Sequence, residues 1–118
     1  CNHSIFFKAV FDIIILGLGA DGHIASIFPD QIHLFDSGNI CETAVHPETG
    51  QERITITGKV INHAKNVFVL LSGGTKSDIV RVVLNDEREN KMPIDYISPI
   101  AGNYSWFMDK EAASELEI

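Results

Sequence analysis

Residues 11–30 read FDIIILGLGADGHIASIFPD. Asp12 leads an apolar run, Ile13-Ile14-Ile15-Leu16, that stops at Gly17. Gly19 and Gly22 follow, with Asp21 and His23 on either side of the last glycine. An isoleucine-rich run without alternation predicts a strand buried on both faces, as in a parallel sheet. The glycines predict a tight turn, and His23 falls where a short helix, closed by Pro29, should begin. A strand that breaks into a glycine turn at a helix start is a common way to build a phosphate or sugar site.

Working outward, residues 30–52 are rich in turn formers, with one short strand expected over residues 40–45. Arg53-Ile54-Thr55-Ile56-Thr57 alternates strictly. It predicts a strand with Ile54 and Ile56 on one face and Arg53, Thr55 and Thr57 on the other. A short helix is expected over residues 59–64 and a buried strand over residues 66–71. That strand ends in Ser72-Gly73-Gly74. Thr75 and Asp78 have the spacing of a capping box for a helix whose apolar face is Ile79, Val80, Val83 and Leu84. Residues 104–108 predict a last strand, and Asp109 an N-cap for a closing helix through Leu116. Strands separated by helices predict one α/β domain over residues 1–118 with a mostly parallel, Rossmann-like sheet flanked by helices. Both glycine turns then fall at the carboxyl ends of strands, where such sheets bind ligands.

The bulk composition narrows the function. The chain has 118 residues, is 45% hydrophobic and carries a net charge of −7. That balance suits an ordinary globular domain and argues against a nucleic-acid partner or an anionic membrane surface. The apolar runs are too short to span a bilayer. Two cysteines without a CxxC pair make a disulfide framework unexpected and favour a reducing, cytoplasmic compartment. The histidines show no metal-ligand spacing, so no metal and no cofactor are expected.

Gly17-Leu18-Gly19-Ala20-Asp21-Gly22 fits the G-x-G-x-x-G pattern, but Pro29 cuts the following helix short and no acidic residue closes a following strand, which weakens a dinucleotide reading. A structural tight turn is the plain alternative. His23 is the sharper clue, because a neutral imidazole can act as a general base, and Asp21 could orient it. Lys76 sits in a first helical turn, where a cation opposes the dipole unless an anion binds beside it. Arg53 could reach the same cleft, or be an exposed edge residue. Trp106 reads as packing, and the run Asp86-Glu87-Arg88-Glu89 as a solvated helix end.

Residues 17–29, GLGADGHIASIFP, resemble the signature of the 6-phosphogluconolactonases, G-x-G-x-D-G-H-x-A-S-x-F-P, with every fixed position filled. The similarity continues through Arg53–Thr57, Leu71-Ser72-Gly73-Gly74-Thr75-Lys76 and the stretch with Trp106 and Asp109. The resemblance implies a fold shared with sugar-phosphate isomerases and deaminases. It implies hydrolysis of 6-phosphoglucono-1,5-lactone to 6-phosphogluconate in the pentose phosphate pathway, without metal or cofactor. His23 is then the general base, Asp21 its neighbour in the motif, and Lys76 and Arg53 hold the 6-phosphate. Gly17, Gly19, Gly22 and Ser26 are the motif's further substrate-binding positions.

Family members are longer than this chain, which resembles their carboxyl-terminal half. The resemblance therefore implies either a shortened homologue or a sheet incomplete in this chain, completed by an amino-terminal segment or a second chain, with little lactonase activity expected from these residues alone. Two other functions fit the residues: an isomerase or deaminase of the same fold, or a non-catalytic sugar-phosphate-binding module that would keep Lys76 and Arg53 without needing His23.

Overall fold

The computed structural model describes residues 10–116. In chain order these form β1 (Ile14–Leu16), β2 (Cys41–Val45), β3 (Glu52–Ile56), α1 (Gly58–His63), β4 (Asn66–Leu71), α2 (Ser77–Leu84) and β5 (Asn103–Met108). A 3-10 helix at Pro29–Phe35 precedes β2, and another at Pro93–Tyr96 precedes β5.

β1, β4 and β5 form a parallel sheet in the order β1-β4-β5. Ile14 lies opposite Val67, and Val69 lies between Leu16 and Trp106. The unbroken apolar run of β4 suits its central place. Its odd-numbered residues Val67, Val69 and Leu71 are buried with Ile14 and Leu16, in one cluster with Val60 and Ile61 of α1 and Ile79 and Val80 of α2. β2 and β3 form a separate antiparallel hairpin, with Cys41 opposite Ile56 and Val45 opposite Glu52.

The other face of the parallel sheet carries Ile15, Phe68, Leu70 and Phe107, which share a side by register. Ile15 is 60% exposed, Phe107 52% and Leu70 48%. The expectation that residues 11–16 are buried on both faces is therefore met on one face only. β1 lies at the sheet edge.

Several local expectations change. Residues 23–28 form no helix; Ile24 and Ile27 close a small antiparallel bridge, with Ala25 at φ 50°. Pro29 starts a helix instead of closing one, since its fixed φ and missing N–H suit a first helical position. In β3 the expected alternation holds, and the threonine face is the buried one: Thr55 is buried and Ile54 is 71% exposed. Hydrogen bonds hold the threonines inward. Thr55 Oγ1 accepts from the Ser26 N–H at 3.0 Å, and the buried Thr57 Oγ1 donates to the Asn39 carbonyl at 2.7 Å. Thr75 caps nothing; α2 begins at Ser77, whose hydroxyl donates to the Gly74 carbonyl. Residues 110–115 are turns rather than a helix, although Asp109 does accept from the Ala112 N–H. Cys41 is buried on β2.

Candidate active site

β1 delivers the chain to a glycine turn at its carboxyl end. The turn closes on itself: the Gly22 N–H donates to the Gly19 carbonyl and the Gly19 N–H to the His23 carbonyl, both at 2.9 Å. A Cβ at Gly19 would collide with the His23 ring, so glycine is what lets the imidazole lie against the turn. Gly22 has φ +84°, in the region that favours glycine.

Within this turn Asp21 and His23 meet twice. Asp21 Oδ1 accepts from the His23 backbone N–H at 3.1 Å and lies 2.5 Å from His23 Nδ1. A carboxylate can only accept, so Nδ1 carries a proton, and in the neutral ring Nε2 then keeps its lone pair. Partial burial pushes the Asp21 carboxyl up, but the two bonds from His23 and the attraction of its ring outweigh this and hold it below the usual value. The His23 side chain is 29% exposed, open enough for water to reach it.

His23 lines a cavity of about 490 Å³ with Gly17, Leu18, Gly19, Ile56 and Lys76. Lys76 comes from the second glycine turn, after β4, and its ammonium donates to the Leu18 carbonyl at 2.7 Å. The two glycine turns are thus bridged by the lysine that the sequence singled out. The second turn itself is not an open anion cradle. The Gly73 N–H donates to the Asp109 carboxylate, at 3.1 and 3.2 Å to its two oxygens.

The structure brings together Gly17, Gly19, His23 and Lys76 around the cavity, with Asp21 and Gly22 in the turn behind. Ser26 contributes its backbone to Thr55 and is not a lining residue. Arg53 is not one either. Its guanidinium lies over the Phe28 ring, 5.8 Å from the centroid, while the same ring lies 4.8 Å from the His23 ring. Phe28, a fixed position of the motif, is buried to 1% exposure. Ile94 also supports the turn, with no local sequence pattern to mark it: its N–H donates to the Gly22 carbonyl at 3.1 Å. Among the described residues no group of three or more His, Cys, Asp or Glu side chains could hold a metal ion. No described helix is long and apolar enough to cross a membrane.

Residues 4–106 match the family described as glucosamine-6-phosphate isomerases/6-phosphogluconolactonase. The chain belongs to this family. Among its relatives, the 6-phosphogluconolactonase of Haemophilus influenzae is 44% identical over 110 residues, which is 92% of this chain and 47% of the relative. The Treponema pallidum 6-phosphogluconolactonase is 50% identical over 76 residues, 64% of this chain and 32% of the relative. A solved structure of the Trypanosoma brucei 6-phosphogluconolactonase superposes with a TM-score of 0.75 at 34% identity, covering 92% of this chain and 43% of that one. The chain spans at most about half the length of these relatives. The family fold accounts for the parallel sheet and the helices flanking it.

Proposed function

We propose that this chain carries the catalytic turn of a lactone hydrolase acting on 6-phosphoglucono-1,5-lactone, as part of the pentose phosphate pathway in the cytoplasm. The observation that carries the reading is the Asp21–His23 pair, which leaves Nε2 as the basic nitrogen of a residue lining the cavity. The names of the relatives support the substrate.

In this reading a water molecule attacks the lactone C1 carbonyl while His23 Nε2 takes its proton. The tetrahedral oxyanion then collapses, the bond from C1 to the ring oxygen breaks, and that oxygen takes the proton back from the imidazolium. The product is the open-chain acid, which ionises. Asp21 holds the ring in the working tautomer and stabilises its transient positive charge. Lys76 holds the 6-phosphate, exchanging or sharing its contact with the Leu18 carbonyl. Gly17 and Gly19 border the sugar, and Gly22 shapes the turn behind them. Arg53 adds positive charge from beyond Phe28, and Ser26 fixes the turn through Thr55. No metal or cofactor enters any step.

The chain corresponds, in this reading, to the carboxyl-terminal half of the longer relatives. Among the described residues β1 is an edge strand and Ile15, Leu70 and Phe107 are exposed, which supports completion of the sheet by further polypeptide, in the same protein or a second chain. The test is lactone hydrolysis by the protein as its gene encodes it, measured above the spontaneous rate. Acceleration with 6-phosphogluconate as product is expected. Ammonia release from glucosamine 6-phosphate without lactone turnover would overturn the reading in favour of a deaminase.

A further inference from the structure

Met92 lies where a Gly22 side chain would be: a Cβ built on Gly22 would meet the Met92 side chain at 2.5 Å. Two residues on, the Ile94 N–H donates to the Gly22 carbonyl at 3.1 Å. Gly22 is thus held from outside its own turn by side-chain packing and by a backbone hydrogen bond. Its neighbour His23 inherits that placement, because one peptide unit separates them.

Met92 and Ile94 are themselves fixed by a charge pair. The Met92 N–H donates to Asp95 Oδ2 at 2.7 Å. Arg88 binds both oxygens of the same carboxylate, Nε to Oδ2 at 2.8 Å and Nη2 to Oδ1. Arg88 Nη1 also donates to the Val82 and Val83 carbonyls at 3.1 and 2.9 Å, at the carboxyl end of α2. The side chains are 16% exposed for Arg88 and 10% for Asp95, so this is not the solvated helix end that the charged run suggested. Two-pronged pairing of this kind fixes direction as well as distance. Lys76, just before α2, reaches the same glycine turn at Leu18. The connection from the second glycine turn through α2 to the Pro93–Tyr96 helix is therefore tied to the catalytic turn at both ends.

We propose that the Arg88–Asp95 pair is a positioning clamp for His23: it fixes Met92 and Ile94, which hold Gly22 and so keep the imidazole in register with Asp21. The clamp touches neither substrate nor reacting atoms. Its catalytic consequence rests on His23 being the base, but its structural consequence does not.

The experiment uses the tautomer of His23 as readout. In the protein as its gene encodes it, ¹⁵N NMR distinguishes an Nδ1–H imidazole from an Nε2–H one. Asp95→Asn and the milder Met92→Ala are compared with Val80→Ala, a core change outside the clamp. Both clamp variants are expected to lose Nδ1–H population and exchange protection at His23, while Val80→Ala keeps them at equal or greater loss of Tm. Lactone turnover should follow, with kcat down about tenfold or more and KM little changed, because a misplaced base acts on the chemical step. Should Asp95→Asn fail to fold, Met92→Ala decides. Clamp variants with wild-type Nδ1–H signal and protection, or an equal loss in Val80→Ala, would overturn the proposal. A wild-type protein without lactonase activity would remove the proposed function, and the NMR comparison would still decide whether the clamp positions His23.

Discussion

One oxygen of Asp21 accepts from His23 twice, from Nδ1 at 2.5 Å and from the backbone N–H at 3.1 Å. The first contact selects the tautomer and the second fixes the chain that carries the ring. Asp21→Asn should keep the fold, because the side-chain oxygen can still accept one of these bonds. An amide, however, can present its N–H₂ to Nδ1 and favour the opposite tautomer. The expected result is a loss of kcat on the order of 10²- to 10⁴-fold with product binding retained, checked by steady-state kinetics and titration with 6-phosphogluconate.

Gly19→Ala tests the contact between turn and ring. The added methyl occupies the space of the His23 imidazole. The ring must move off Asp21, so turnover should fall while the core stays folded. A crystal structure of the variant should show the His23 Nδ1 contact broken. Gly22→Ala differs in kind: its φ of +84° makes any side chain costly, and a loss of about 1–3 kcal/mol is expected in chemical denaturation.

Lys76→Met removes the ammonium and keeps the bulk of the side chain. It deletes the bond to the Leu18 carbonyl and the cation proposed for the phosphate. A hydrogen bond to a charged group contributes about 1.5–3 kcal/mol, so KM should rise about tenfold or more, with the larger effect on KM than on kcat. Kinetics at constant ionic strength checks this.

Acid should weaken the site from two places. Burial raises the Asp95 carboxyl, but the Arg88 guanidinium and the Met92 N–H outweigh it and hold the group below its ordinary value of 3.8. Asp21 is likewise held below 3.8. A depressed carboxyl contributes stability that is present above its unfolded pKa and lost as pH falls through the folded one. Thermal unfolding should therefore show Tm falling below about pH 4, with a shallower fall in Asp95→Asn.

The parts of this molecule legible in its sequence are those whose causes are local. β4 and β5 follow from the chain pattern, and His23 with Asp21 as candidates from their places around one glycine, whereas their contact comes only from the fold of the turn. Which face of β3 is buried is not legible locally, because Thr55 and Thr57 bond inward to Ser26 and Asn39, partners far along the chain. Pro29 departs from expectation because the same residue that ends one helix can begin another. Arg88 looked solvated because its partner Asp95 lies across a loop with Met92 and Pro93 between them. Lys76 lines the cavity, whereas Arg53 lies over the Phe28 ring and does not line it, a placement that sequence alternation does not report.

The most direct measurement is the rate of lactone hydrolysis by His23→Ala beside the wild-type protein, with 6-phosphogluconate binding measured on both. Turnover falling to near the spontaneous rate, with binding largely kept, is the expected result. Turnover unchanged by the substitution would contradict the assignment of His23 as the base.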